Sequence, residues 1–329
     1  MPDVRRRELM ALLGGAAAAW PLAARAQQVW MPVVGLISIR SPEDSAKLIA
    51  TFRGGLKEFG FIEGQNVRLE HRWADRQYDR LPALALDLVE RQAAVLVAIA
   101  NPSALAVNAT VKTLPIVFAI GGDPVQLGLV ASLNRPGGNV TGVSFFASQL
   151  EAKRLELLHE LVPRARAVAV LLNPNNPTVD VQLREVQEAG RSLGLTLRVL
   201  DASSEREIET AFTALVHLQA GGLLVAADSF FFSRRHQLAT IAAVYAVRAI
   251  YEWRDFPEVG GLASYGTDLA NAYRQVGIYT GRILNGERPA DLPVMQSTKF
   301  EFVLNLRTAK ALGLEVPPTL LARADEVIE

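Results

Sequence analysis

The chain has 329 residues, half of them hydrophobic, with 34 basic and 34 acidic side chains and no cysteine. Balanced charge without a basic cluster beyond Arg5-Arg6-Arg7 excludes a nucleic-acid footprint. The missing thiols exclude disulfides, thiolate zinc or iron–sulfur centres, a cysteine nucleophile and a lipid anchor on an N-terminal cysteine.

Residues 1–26 carry the three parts of an export signal in order. Arg5-Arg6-Arg7 is the basic start, residues 9–20 are a weakly apolar run rich in Ala and Gly, and Ala24-Arg25-Ala26 is a small-residue cleavage site before Gln27. The order Arg6-Arg7-Glu8-Leu9-Met10 resembles the twin-arginine signal. The apolar run is well short of the roughly 20 residues needed to span a bilayer. Removing residues 1–26 takes away four arginines and two acids, which leaves a mature chain with two more acidic than basic residues. The expected location is the periplasm, as a freely diffusing protein. The roughly 300 residues that remain are long enough to divide into two domains.

Short β runs alternate with helical-period segments through most of the mature chain. Strands are expected at residues 33–37, 67–73, 95–99, 116–119 and 140–145, and helices at 44–59, 81–91 and 103–112. The run Val95-Leu96-Val97-Ala98-Ile99 has no polar residue, as expected of a parallel strand buried on both faces. After the turn cluster at residues 134–139 the pattern starts again. Its helices are expected at 150–161, 179–193, 205–218 and 234–247, and its strands at 168–172, 195–200, 222–226 and 249–251. The final third is less regular: a short strand within 260–266, a helix at 269–285 with Asp268 as N-cap, a strand at 300–304 and a short helix at 308–312. Repeated βα units imply doubly wound parallel sheets. The expected class is α/β, with two Rossmann-like lobes. Lobe 1 takes residues 29–144 plus about 262–290, and lobe 2 takes 145–258 plus about 291–329.

Ligands of open parallel sheets bind at the carboxyl ends of the strands. In lobe 1 the loops there are Ser38-Ile39-Arg40-Ser41, Asn101-Pro102-Ser103 and Gly121-Gly122-Asp123-Pro124; in lobe 2 they are Asn173-Pro174-Asn175-Asn176-Pro177, Asp228-Ser229-Phe230-Phe231-Phe232 and Glu252-Trp253. Most lead into helix N-termini, whose free N–H groups suit an anionic group. The same Asn, Asp and Ser residues are also ordinary helix caps. One of the three phenylalanines should face the core, but one helix face cannot bury all three. A charge beside aromatic rings, as at Asp228 and again at Glu252-Trp253, is the composition of a small-molecule site. Catalytic sets are missing. His71, His159, His217 and His236 are scattered without metal-ligand spacing, and Gly142-Val143-Ser144-Phe145 lacks the second glycine of a nucleophile elbow. No phosphate-binding glycine fingerprint occurs. No enzyme activity, metal or cofactor is expected.

Asn173-Pro174-Asn175-Asn176-Pro177, the segment 228–232, Gly260-Gly261-Leu262-Ala263-Ser264-Tyr265-Gly266, Lys299-Phe300-Glu301 and Asn305-Leu306 together resemble the ABC-transporter substrate-binding family that includes tryptophan-binding proteins. The resemblance spans nearly all of the mature chain. It implies a type I periplasmic binding fold with a three-crossover hinge, related to the branched-chain amino-acid binders, and delivery of ligand to an inner-membrane permease and ATPase by a monomer. By position in the βα order, the residues that hold the amino acid in those binders fall on Ser103, Gly121 or Gly122, and Glu252. The candidate ligand-binding set is Ser41, Asn101, Ser103, Gly121, Gly122, Asp123, Asn175, Asp228, Phe230, Glu252 and Tyr265. The anionic end of a small ligand is expected at Asn101, Ser103 and nearby N–H groups. An ammonium would pair with Glu252 or Asp228, and hinge closure would follow. Two other readings of the same scaffold are an exported ligand sensor and, with less support, an enzyme.

Overall fold

The computed structural model describes residues 31–145 and 147–329, so the export signal expected at 1–26 lies outside the described residues. Two sheets form. The first contains β1 (Val33–Ser38), β2 (Arg68–Trp73), β3 (Ala93–Ile99), β4 (Ile116–Ile120), β5 (Val140–Ser144) and β11 (Met295–Gln296), in the order β11-β5-β4-β3-β1-β2. All its pairings are parallel. The second contains β6 (Ala167–Leu172), β7 (Thr196–Asp201), β8 (Leu223–Val225), β9 (Ala249–Tyr251), β10 (Ala263–Thr267), β12 (Phe300–Asn305) and β13 (Glu326–Ile328), in the order β13-β12-β10-β9-β8-β6-β7. Here β10 and β12 run antiparallel and the other pairs parallel. Every residue of β1, β4 and β5 is buried, so none of the three alternates between a buried and an exposed face.

The chain crosses between the lobes three times: after β5, between β10 and the helix at Leu269–Leu284, and between β11 and β12. The crossovers are tied to one another. The Thr267 hydroxyl donates to the Phe145 carbonyl at 2.9 Å, Ser297 N–H to the Ser144 carbonyl at 3.0 Å, and the Lys299 ammonium to Asp268 at 2.9 Å.

The lobe boundaries differ from those expected within 262–290 and 291–329. Residues 263–267 are a strand of the second sheet, whereas residues 295–296 join the first. The helix at Leu269–Leu284 does belong with lobe 1, because it packs on the helix Pro42–Glu58 through paired glycines. A Cβ on Gly55 would stand 2.0 Å from the Arg274 carbonyl oxygen, and one on Gly277 would stand 2.2 Å from that of Phe52. Only glycine allows the two backbones to approach so closely. Two-residue β11 and three-residue β13 are too short to show a period of two, so the sequence pattern does not mark them.

Asp228, Phe230, Phe231 and Phe232 depart from expectation. Residues Ser229–Ser233 form a short helix, and all three phenylalanines are buried. Their burial does not come from one helix face. Phe232 packs edge-on against Trp253 and Phe256 and lies beneath the guanidinium of Arg40, a lobe 1 residue. The opposite lobe covers what a single core could not.

Candidate functional site

The strand ends of both sheets converge on a cleft between the lobes. From lobe 1 it is lined by Arg40 after β1, Tyr78, Ala100, Asn101 and Pro102 after β3, Gly121 after β4, and Tyr273. Phe145 and Ala147 come from the first crossover. Lobe 2 supplies Asn176 and Thr178 after β6, Ala227, Asp228 and Ser229 after β8, and Glu252 and Trp253 after β9. The empty volume between these residues is about 520 Å³, open mouth included.

The lobes are closed on each other. The Arg235 guanidinium of lobe 2 reaches the Asp44 carboxylate of lobe 1 at 2.7 Å, and Lys47 lies 3.4 Å from Glu258. The Arg40 guanidinium sits 4.3 Å from the Phe232 ring centre and 5.3 Å from that of Trp253. Both rings belong to lobe 2.

Glu252 is the most unusual group in the cleft. Its residue is 2% exposed, and neither carboxylate oxygen has a hydrogen-bond partner among the described residues. Burial holds its carboxyl well above the usual carboxylate range; Arg154 and Arg40 act against this rise, and Asp228 and Glu151 add to it. Three buried donors in the lining are also without partners among the described residues: Arg40 through Nε and Nη1, the Trp253 indole N–H and the Tyr273 hydroxyl.

Asp228 lines the same cleft but is fully engaged. One oxygen accepts from Asn173 Nδ2 at 3.0 Å and from the N–H groups of Phe230 and Phe231; the other accepts from Asn176 Nδ2 at 2.9 Å. It is the N-cap of the short helix and the knot that joins two lobe 2 loops. Burial still raises its carboxyl, outweighing the four N–H donors that pull the other way. Replacing Asp228 with Ala is expected to lower the unfolding free energy by about 2–4 kcal/mol, because it strands two buried amides and two helix N–H groups. Urea denaturation measures this; a loss below about 0.5 kcal/mol would contradict the capping role.

The remaining candidates divide clearly. Asn101 lines the cleft, but its Oδ1 accepts from the N–H groups of Gly121 and Gly122, both at 3.1 Å, so it pins the loop after β4. Ser103 is fully buried one turn into its helix and is not part of the lining. Ser41 caps the helix Pro42–Glu58, and Asp123 accepts from Val125 and Gln126 N–H in an exposed turn. Asn175 is exposed, and its neighbour Asn176 is the one that enters the cleft. Phe230 is core, and Tyr265 stacks on Phe300 away from the lining. Arg40, Tyr78, Phe145, Thr178 and Tyr273 were not in the candidate set. Tyr78 and Tyr273 sit on segments with no motif, so no local pattern signals them. The described residues contain no group of three His, Cys, Asp or Glu placed to hold a metal, and no helix long and apolar enough to cross a membrane.

Residues 34–328 match the family described as ABC transporter substrate binding protein. The chain is 27% identical over 264 residues to a tyrosine-binding protein of Clostridioides difficile strain R20291, covering 80% of this chain and 76% of that protein. A Streptococcus pneumonia ABC domain solved in complex with L-Trp superposes with a TM-score of 0.82 at 26% identity, over 90% of this chain and 99% of that one. The ligand-free, open structure of a substrate-binding protein with adhesive properties from Clostridium difficile gives a TM-score of 0.66 at 27% identity over the same shares. At equal sequence distance, the chain is closer in shape to the L-Trp complex than to the open, ligand-free protein. The architecture is that of type I periplasmic binding proteins.

Proposed function

The chain belongs to the ABC transporter substrate binding protein family, and we propose that it traps an amino acid with an apolar or aromatic side chain between its lobes. It then presents the ligand to a permease and ATPase in the inner membrane. The observation that carries this reading is Glu252, a buried carboxylate at the cleft with both oxygens unpaired among the described residues. Such a group is costly to hold unless a cation arrives to pair with it. A ligand ammonium is that cation. Phe145, Tyr273 and Trp253 supply the ring surface to cover an apolar side chain, with Phe145 and Tyr273 stacked at 6.3 Å.

Closure follows from differential affinity. A ligand that touches both lobes binds the closed state better than the open one and shifts the population accordingly. The interlobe pairs Asp44–Arg235 and Lys47–Glu258 form only when the lobes meet, and they add modestly to the same equilibrium. The greater likeness to the L-Trp complex than to the open relative supports the same cycle. Export by a twin-arginine signal would place the protein in the periplasm, where a permease can receive the ligand.

A thermal-shift screen of the chain from Gln27 onward against the twenty amino acids tests the reading. At a free ligand concentration 100 times Kd, a true ligand should stabilise the protein by about 2.7 kcal/mol. L-Tyrosine and L-tryptophan should be among the strongest responders. If no amino acid raises the melting temperature, the reading fails.

A further inference from the structure

We infer that Arg40 is the carboxylate receptor of the cleft and selects ligands with a free carboxylate over the matching amines. The inference rests on the amino-acid reading above and deepens it. Arg40 lies in the loop between β1 and the helix Pro42–Glu58, with its own N–H held by Ser38 Oγ at 3.1 Å. Its residue is 3% exposed, it lines the cleft, and its Nε and Nη1 have no hydrogen-bond partner among the described residues.

The guanidinium carbon stands over the rings of Phe232 and Trp253, which meet each other edge-on. Those contacts hold the group at the lining, and its Nε and Nη1 remain as donors without a hydrogen-bond partner among the described residues. A planar fork of N–H donors matches a carboxylate through two parallel bonds. Arg40 and Glu252 line the same cavity, yet the described residues form no ion pair between them. Two buried opposite charges, each unpaired and separated by the cleft, are the complement of a zwitterion. Of the other groups suited to the anionic end, the N–H groups of Gly121 and Gly122 donate to Asn101, and Ser103 lies outside the lining.

Arg40 belongs to lobe 1 and its ring seat to lobe 2, so the receptor is complete only when the lobes are closed. Carboxylate recognition is thereby coupled to closure. A side chain that only clamped the lobes would support every ligand equally, and selectivity separates the two roles.

Calorimetric titration of wild type, Arg40→Met and Arg40→Lys with L-tyrosine, tyramine, L-tryptophan and tryptamine tests the assignment, with circular dichroism checking that each variant folds. Wild type should prefer each acid over its amine by at least about 100-fold. Arg40→Met should lose most of that preference through weaker acid binding, its amine affinity changing by less than about threefold. Arg40→Lys, which keeps the charge without the fork, should retain a reduced preference. The assignment is overturned if both variants keep the full preference, or if acid and amine affinities fall together. Should wild type bind none of the four, the amino-acid reading itself fails and not only the role of Arg40.

Discussion

Replacing Glu252 with Gln is expected to weaken amino-acid binding by about 100-fold or more while making the ligand-free protein more stable. The two effects have one cause. With the lobes closed, the Glu252 carboxyl is buried without a hydrogen-bond partner among the described residues, and ionising it there is unfavourable. Glutamine has nearly the same shape and no charge to desolvate. With ligand bound, the same exchange removes the partner of a buried ammonium, a loss of the order of 2–5 kcal/mol for a desolvated charge pair.

The pH dependence gives a second reading of this site. The carboxyl is raised in the folded protein and ordinary, about 4.3, in the unfolded chain. Between those two values the folded state holds the extra proton, so stability falls as pH rises through the interval. Affinity for an ammonium runs the other way, because the carboxylate form must be present, and it climbs over the same interval. Both slopes should flatten in Glu252→Gln. A Gln variant that binds L-tyrosine and L-tryptophan as wild type does would remove Glu252 from the site.

The largest effect on stability is expected at Arg154, behind the cleft. Arg154 and Glu151 are both fully buried, with Nη2 and Oε1 3.2 Å apart. Arg154 also donates to the carbonyl of Ala147 in the first crossover. The same Glu151 oxygen accepts from Ala227 N–H at 2.8 Å and Gln182 Nε2 at 3.2 Å, so the pair joins the hinge to the floor of lobe 2. Arg154→Met leaves Glu151 buried and uncompensated, at a loss of about 3–5 kcal/mol in urea unfolding. Adding Glu151→Gln should recover much of it, because the remaining site is then neutral. Nearby Glu185, already raised to about 7 mainly by burial, should rise further without the Arg154 charge. A loss below about 1 kcal/mol for the single variant would mean that the pair is replaceable in place.

Much of this architecture was legible in the sequence. Apolar runs without polar interruption at 95–99 and 116–119 identified strands covered on both faces, and those strands occupy the middle of the first sheet. Alternation of such runs with helical periods indicated two α/β lobes, and Asp268 read as a helix cap is one. From the loops at strand ends, Asn101, Gly121, Asp228 and Glu252 line the cleft between the lobes.

The role of each residue in those loops was not legible. A helix cap and a ligand contact draw on the same residue types, and composition cannot separate Asp228, with its four N–H donors, from Glu252, with none among the described residues. Local sequence sets strand, helix and cap because those depend on neighbours a few residues away. Whether a buried charge is satisfied depends on side chains from distant segments. Arg40 meets Phe232 and Trp253 nearly two hundred residues or more along the chain, and only after the lobes have closed. The sequence by itself therefore determined two lobes and the rim where they face each other; the tertiary structure alone decided which charged groups on that rim are buried without a hydrogen-bond partner among the described residues.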